Sequence, residues 1–536
     1  MRTSFPEPST ATRRPIRRSL RVRKLVPLVA LIVLACAPSA QAASRLVIRG
    51  AGFGHGIGMS QYGAYGLSLQ GVGYQAILGR YYTGTQLAQV SSEPEVRVLL
   101  QGGQRKYTFT GAARLGTQAL DPSKTYNVIR GGSGLVLRDG SKKLFTSAPP
   151  LRVDAGGGGA LLLNGTSVPG IRDGRYRGAF EFRPSGSGIS AINALGLESY
   201  VRGVVSAESP SAWPAEALKA QAVAARTYAI TSRAGSISQG FDQFADTRSQ
   251  MYKGVAAETA NTDAAVNATA GQVVTYGGQP VTTYFFSTSG GHTESVENSF
   301  VGSAPKPWLK GVDDPYDDLS PKHRWKPITL TTKQADAKLH GLLKGKFKRI
   351  DVLQRGTSPR VVKAQIVGSK GTTPVTGPQL RSRFGLWDTW AFFTTISSNG
   401  KRAPLGPETP DAPGAPITPA GGTAPTATTP PTGGTPSGGV TAGAATVRAV
   451  SAGGHASAAQ PARRASHRTG PVLSGRIQPA KAGARIRVER RVGTTWLLAV
   501  DAQLASGGRY AVAVPGAGVY RVRYADAVVG PDVRVR

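Results

Sequence analysis

The stretch 207–230, AESPSAWPAEALKAQAVAARTYAI, limits more than any other what this chain can fold into. Leu218, Ala222, Ala225 and Ala229 recur at helical spacing, and so much alanine lets neighbouring elements approach closely, so the spacing predicts a buried helical post. Ser211 is expected to cap it, Pro214 to fall in its first turn, where a missing N–H is harmless, and Glu216 to complement the positive end of its dipole. A single acid, Glu208, stands in the turn directly before. A carboxylate beside a helix N-terminus is stabilised in its charged form, so Glu208 serves as a general acid near neutrality only if burial prevails.

The 536 residues can bury a sizeable core in more than one domain, and their net charge of +35 attracts polyanions: nucleic acid, anionic lipid, or bacterial-wall carboxylates and phosphates. Targeting decides among these. Arginines crowd residues 13–23, residues 25–35 are apolar, and Ala40-Gln41-Ala42 is a small-x-small cleavage site, so 1–42 reads as a secretory signal peptide. The apolar run is too short for a membrane span, and the expected product is secreted and cell-wall associated, with nucleic acid set aside. Arg17-Arg18 resembles a twin-arginine signal, a pair that an arginine-crowded leader yields by chance. Cys36 follows Val33-Leu34-Ala35, a poor lipoprotein attachment site; cleavage after Ala42 removes this only cysteine, and with it any disulfide or thiolate metal site.

Along the mature chain, residues 45–48 suit a short strand, and glycines at 50, 52, 54, 56 and 58 demand an unusual backbone path before a helix from about Ser60. The glycine spacing matches neither a dinucleotide fingerprint nor a P-loop, which excludes nucleotide binding by those routes. Residues 95–182 alternate in short apolar runs and predict a β-rich layer. Glu198 reads as a surface or capping acid. A second helix closed by Gly271 and a hairpin around Gly277-Gly278 lead into the polar loop TSGGHTE, of the sort that lines a cleft. Residues 401–469, rich in Pro, Thr, Gly and Ala, cannot bury enough apolar surface to fold and read as a linker. Residues 470–536 alternate again and predict a small all-β sandwich of immunoglobulin type, without a Cys pair. The expected fold class is α+β, with a β-rich domain over 43–400 that includes a few helices.

GVVSAESPSAWPAEALKAQAVAARTYA closely resembles the signature of SpoIID/LytB domains, proteins of sporulation and cell-wall remodelling. RYRGAFEF, NALGLESYVRGVV, DTRSQMYKG, YFFSTSGGHTE, PWLKGVDDPYD and LRSRFGLWDTWAFF follow in the family's order, so the resemblance spans roughly 45–395. GFGHGIGMSQYGAYGLSLQG resembles the segment that usually closes the domain, yet here it opens the mature chain, which implies circular permutation. Ser249 stands where some relatives carry a cysteine proposed to help bind zinc, so no metal or other cofactor is expected. The resemblance further implies lytic transglycosylation of peptidoglycan with Glu208 as acid and then base. The muramic 6-hydroxyl attacks C1 internally, so no second carboxylate is needed. Its LytB branch implies an alternative, a non-catalytic wall protein that enhances an amidase; a third reading is an adhesive wall protein. The partners implied are peptidoglycan glycan strands, a cell-wall amidase and anionic wall polymers.

The residues expected to bind substrate are His55, Gln61, Tyr176, Arg177, Ser289 and His292. His55, between glycines, either reaches a ligand or is a ring hydrogen-bonded in a packed loop. Ser289 and His292 lie too close on a glycine turn to read as nucleophile and base, and line the loop instead. His55, His292 and Glu294 lack the spacing of a zinc site. Tyr176 and Arg177 suit a glycan groove or, more simply, a strand edge. Arg226 is either a buried partner for a carboxylate or a snorkelling surface residue, and the small apolar face around it favours the first. Gln221 and Tyr228 read as packing residues.

Overall fold

The computed structural model describes residues 43–132, 134–166, 171–232, 234–404, 469–525 and 528–535. The leader, with Arg17-Arg18 and Cys36, and nearly all of the linker lie outside the described residues. Among the described residues no helix is long and apolar enough to cross a membrane.

The alternating runs form two antiparallel-rich sheets. In the strand Glu95–Gln104 the buried positions are Val96, Val98 and Leu100, and in Lys106–Thr110 they are Tyr107 and Phe109, as a half-buried strand requires. Against this layer stand the helices α1 (Gln61–Leu69), α2 (Tyr74–Tyr81), α3 (Leu197–Glu208), α4 (Ala215–Thr231) and α5 (Ala260–Ala268). The alanine-rich helix α4 is the post that its composition predicts. Leu218, Ala222, Ala225 and Ala229 pack into the core of the sheet layer, while Ala220, Val223 and Ala224 pack into a second core with α1 and α2. Small side chains on both faces let one helix serve two cores.

The entry to α4 differs from expectation. Pro214 occupies the N-cap position rather than the first turn, and no side chain caps the helix. Ser211 contributes only its carbonyl, which accepts from Asn261. Glu216 does lie in the first turn, where its carboxylate accepts from the Tyr74 N–H at 2.8 Å and from Lys219 Nζ at 2.7 Å, tying α2 to α4.

The strand Ala43–Gly50 lies between Ile328–Thr331 and Ala391–Pro404, antiparallel to both. The first described strand and the strand that closes the domain are therefore neighbours, the geometry that a permuted order requires. Ala391–Pro404 then pairs along its other edge with Thr469–Gln478, from Thr395↔Gln478 to Pro404↔Thr469. The C-terminal module is thus not a self-contained sandwich on a tether. One of its sheets continues the domain's own, and its core joins Val47 and Ile396 to Leu473, Ile486 and Val522. Alternation within 470–536 was legible, but what lies beside its first strand depends on partners far away in sequence.

Candidate functional site

Glu208 is the last residue of α3, not a turn residue leading into α4. One carboxylate oxygen, Oε1, accepts from the Met251 N–H at 2.6 Å; the other, Oε2, is 3.4 Å from Gln61 Nε2. The same amide nitrogen lies 3.2 Å from the Glu208 carbonyl and 3.4 Å from Gln221 Oε1, which also accepts from Ser209 Oγ. Gln221 Nε2 is buried beside them without a partner. Burial pushes the Glu208 carboxyl above its ordinary range, against the Met251 and Gln61 hydrogen bonds and the Lys253 charge, while its side chain keeps a partial opening to solvent. The dipole argument reverses sign: at the C-terminal end of α3, the helix disfavours a carboxylate and acts in the same direction as burial. The opposition expected from sequence is absent.

Gln61 reaches Glu208 through the glycine loop. Gly52, Gly54, Gly56 and Gly58 all have positive φ, from 73° to 131°, and the short strand Met59–Ser60 pairs with Phe285–Phe286. Ser60 caps α1 by accepting from the Gly63 N–H, so Gln61 opens that helix facing α3. Gly58 is doubly constrained: φ is 73°, and a Cβ there would lie 2.1 Å from the Tyr284 carbonyl oxygen. Gly58→Ala is expected to lower folding stability by about 2–4 kcal/mol, read from urea denaturation; a loss under about 1 kcal/mol would contradict this account of the loop.

Three rings pack on one another near Glu208 and Gln61 in the chain. Trp213, in the turn after Glu208, stacks on Tyr65 at 4.8 Å and 8°, and Tyr62, next to Gln61, meets it edge-on at 5.1 Å. All three keep partial exposure. Sequence reasoning passed over this cluster, although Trp213 lies inside the motif; its partners come from the start of the chain.

The other candidates are placed as follows. His55 is packed among Tyr284, Phe286 and Phe300, its Nδ1 accepts from the Ile57 N–H at 3.0 Å, and its carbonyl accepts from Ser299. Ring contacts lead from it through Tyr284 to Tyr228, whose hydroxyl pKa is raised by burial and, in smaller part, by the Glu208 charge. Ser289 is fully buried, its hydroxyl accepting from the Gly291 N–H, and His292 lies 3.7 Å from Asp313. Tyr176 is a core residue with no exposure, packed on Phe180 and Tyr252, so a glycan-lining role is corrected. Arg177, on the edge strand Arg172–Arg177, is paired through two of its nitrogens, Nε and Nη2, with Glu258, at 2.7 and 2.6 Å; the strand-edge account holds for it.

Two carboxylates with several donors each hold the frame. Arg226, with no exposure, binds Glu198 at 2.7 Å through two nitrogens, so Glu198 is an ion-pair partner rather than a surface or capping acid. Burial pushes Glu294 upward, but donors from Ser358, Thr357, Asn298 and Ser295 outweigh it and hold the carboxyl below its usual range. Among the described residues no group of three or more His, Cys, Asp or Glu is placed to hold a metal ion.

Residues 185–276, which include Glu208 and Met251, match the family described as Stage II sporulation protein (SpoIID). The chain is 31% identical over 211 residues to the Stage II sporulation protein D of Bacillus subtilis, covering 37% of this chain and 60% of that one. It is 37% identical over 144 residues to the Bacillus subtilis amidase enhancer, covering 27% and 19%. An uncharacterized protein of Brachyspira hyodysenteriae is 39% identical over 152 residues, 28% of this chain and 39% of its own. The chain thus spans less than two thirds of the length of each of these relatives.

Proposed function

We propose that this chain, whose residues 185–276 match the SpoIID family, acts on the bacterial cell wall and cleaves peptidoglycan glycan strands by lytic transglycosylation. The observation that carries the reading is the state of Glu208: a carboxyl held above its ordinary pKa by burial, on a residue that keeps partial exposure, with its orientation set by Met251 and Gln61. A carboxyl in that state donates its proton to the glycosidic oxygen as the bond to C1 breaks. As a carboxylate it then takes the proton of the muramic 6-hydroxyl while that oxygen bonds to C1, leaving a 1,6-anhydro end. No water is activated, so one carboxyl suffices. Gln61 fixes the carboxyl from the side of the glycine loop. Trp213, Tyr65 and Tyr62 offer apolar ring surface for stacking sugars beside it. Export by the N-terminal leader and retention by wall polyanions complete the proposal.

Digestion of purified glycan strands tests it. The wild-type protein is expected to release anhydro-ended fragments, seen by mass spectrometry, and Glu208→Gln to lower the rate about 10²–10⁴-fold with the fold retained. Equal product from both proteins removes Glu208 from the chemistry. The likeness to an amidase enhancer favours a second reading, a non-catalytic wall binder that stimulates an amidase. It is supported instead if the wild type yields no glycan product alone but accelerates amidase turnover when mixed.

A further inference from the structure

A second cavity, of about 520 Å³, opens where the strand Ala43–Gly50 runs into the glycine loop. Its wall is aromatic: Trp325 and Trp390 are almost buried, and Phe392 is 39% exposed. Its charged lining consists of Arg49 and Arg324, with no carboxylate. Arg49 lies directly across the sheet from Phe392, and its Nε is buried without a partner. Arg324 lies over Trp390 at 5.7 Å and donates to the carbonyls of Gly290 and His323. A third guanidinium, Arg355, stacks on Phe392 at 4.3 Å and donates to the carbonyls of Pro359 and Ala391.

Arg360 also lies over Trp390, at 5.4 Å, but is paired with Asp388, whereas Arg49, Arg324 and Arg355 have no carboxylate partner among the described residues. Like charges against apolar rings lose hydration, a cost that a bound anion removes. The donors are planar guanidiniums, suited to the two oxygens of a carboxylate. Nothing in the lining is a helix N-terminus of the kind that cradles phosphate. Phe392, 39% exposed and with Arg355 over its ring, leaves apolar ring surface accessible, which suits a hydrated pyranose stacking by its C–H side. The volume is that of a small-molecule site.

We infer that this pocket binds a carboxylate-bearing sugar ring, with Arg49 and Arg324 holding the carboxylate and Trp390 and Phe392 the ring. The site is separate from Glu208, and its occupancy does not depend on the role given to that acid.

Titration calorimetry with N-acetylmuramic acid, N-acetylglucosamine and benzoate tests the inference on the full chain. The acid sugar is expected to bind with Kd of about 10⁻⁴–10⁻³ M and the neutral sugar about tenfold or more weakly. Arg324→Gln and Arg49→Gln should each weaken the acid sugar about tenfold with unchanged circular dichroism. Glu208→Gln should leave its affinity as in the wild type, which separates this result from the fate of the catalytic reading. Equal affinity for the two sugars, no effect of Arg324→Gln in a folded protein, or tighter binding of benzoate than of the acid sugar overturns the inference.

Discussion

Asp388→Ala is expected to destabilise the protein by about 3–5 kcal/mol, among the largest effects open to a single substitution here. Asp388 and Arg360 are both buried, with side-chain exposures of 0% and 2%, and are joined by two hydrogen bonds of 2.9 and 2.8 Å. The remaining Arg360 donors reach the carbonyls of His292 and Ser289, at 2.8 and 2.9 Å, and the Ser358 hydroxyl, at 3.2 Å. The pair therefore clamps the SGGH loop. It lies equally close to the glycine loop: a Cβ on Gly56 would be 2.5 Å from Arg360 Nε, and one on Gly52 would be 2.7 Å from Asp388 Oδ2. Removing the acid alone leaves a buried guanidinium uncompensated, which costs more than the bond itself contributed. Arg360→Met combined with Asp388→Leu should recover part of the loss, because the desolvation of both charges is then avoided. Urea denaturation of the wild type and the two variants reads the difference; a loss below about 1 kcal/mol for Asp388→Ala would show that the clamp is not where the two loops are held.

Acidification should destabilise the fold through His55, whose pKa is lowered to about 3, first by burial and then by the charges of Arg360 and Arg381. The folded value lies below the unfolded value near 6.5, so this contribution is complete above 6.5 and is lost as pH falls toward 3. Between pH 7 and pH 4 the loss from this one ring should be about 2–3 kcal/mol, allowing for its partial exposure. His55→Asn keeps an acceptor for the Ile57 N–H while removing the titration. Its urea midpoint should therefore fall less steeply between pH 7 and pH 4 than that of the wild type, even if its stability at pH 7 is lower. Equal slopes in the two proteins would mean that His55 is not held neutral by its packing.

Much of the chain was legible because the relevant physics is local. The alternation of residues 95–110 is the pleat itself, and the alanines of α4 report a helix approached closely on two faces. The glycines before Gln61 announce positive φ, and the structure has it at four of the five. Tyr176 and Arg177 show where such reading stops. Adjacent on one strand, one lies in the core and the other in an ion pair with Glu258, and which side is the groove depends on what packs there. The small apolar face around Arg226 favours a buried cation, as the structure has it, whereas Glu198 reads as a surface or capping acid because its partners, Arg226 and the Gly271 N–H, are distant in the chain.

By itself, then, the sequence determined the alanine post, the β-rich layer, the glycine path and the acid at the centre of the motif, since each follows from spacing within a few residues. Tertiary structure alone decided the chemical state of that acid. Gln61 and Glu208 are 147 residues apart in the chain, and Met251 comes from a third segment. Whether Glu208 stands at the positive end of one helix or the negative end of another reverses the sign of the dipole acting on it. Burial and field are sums over neighbours, and neighbours exist only once the chain has folded.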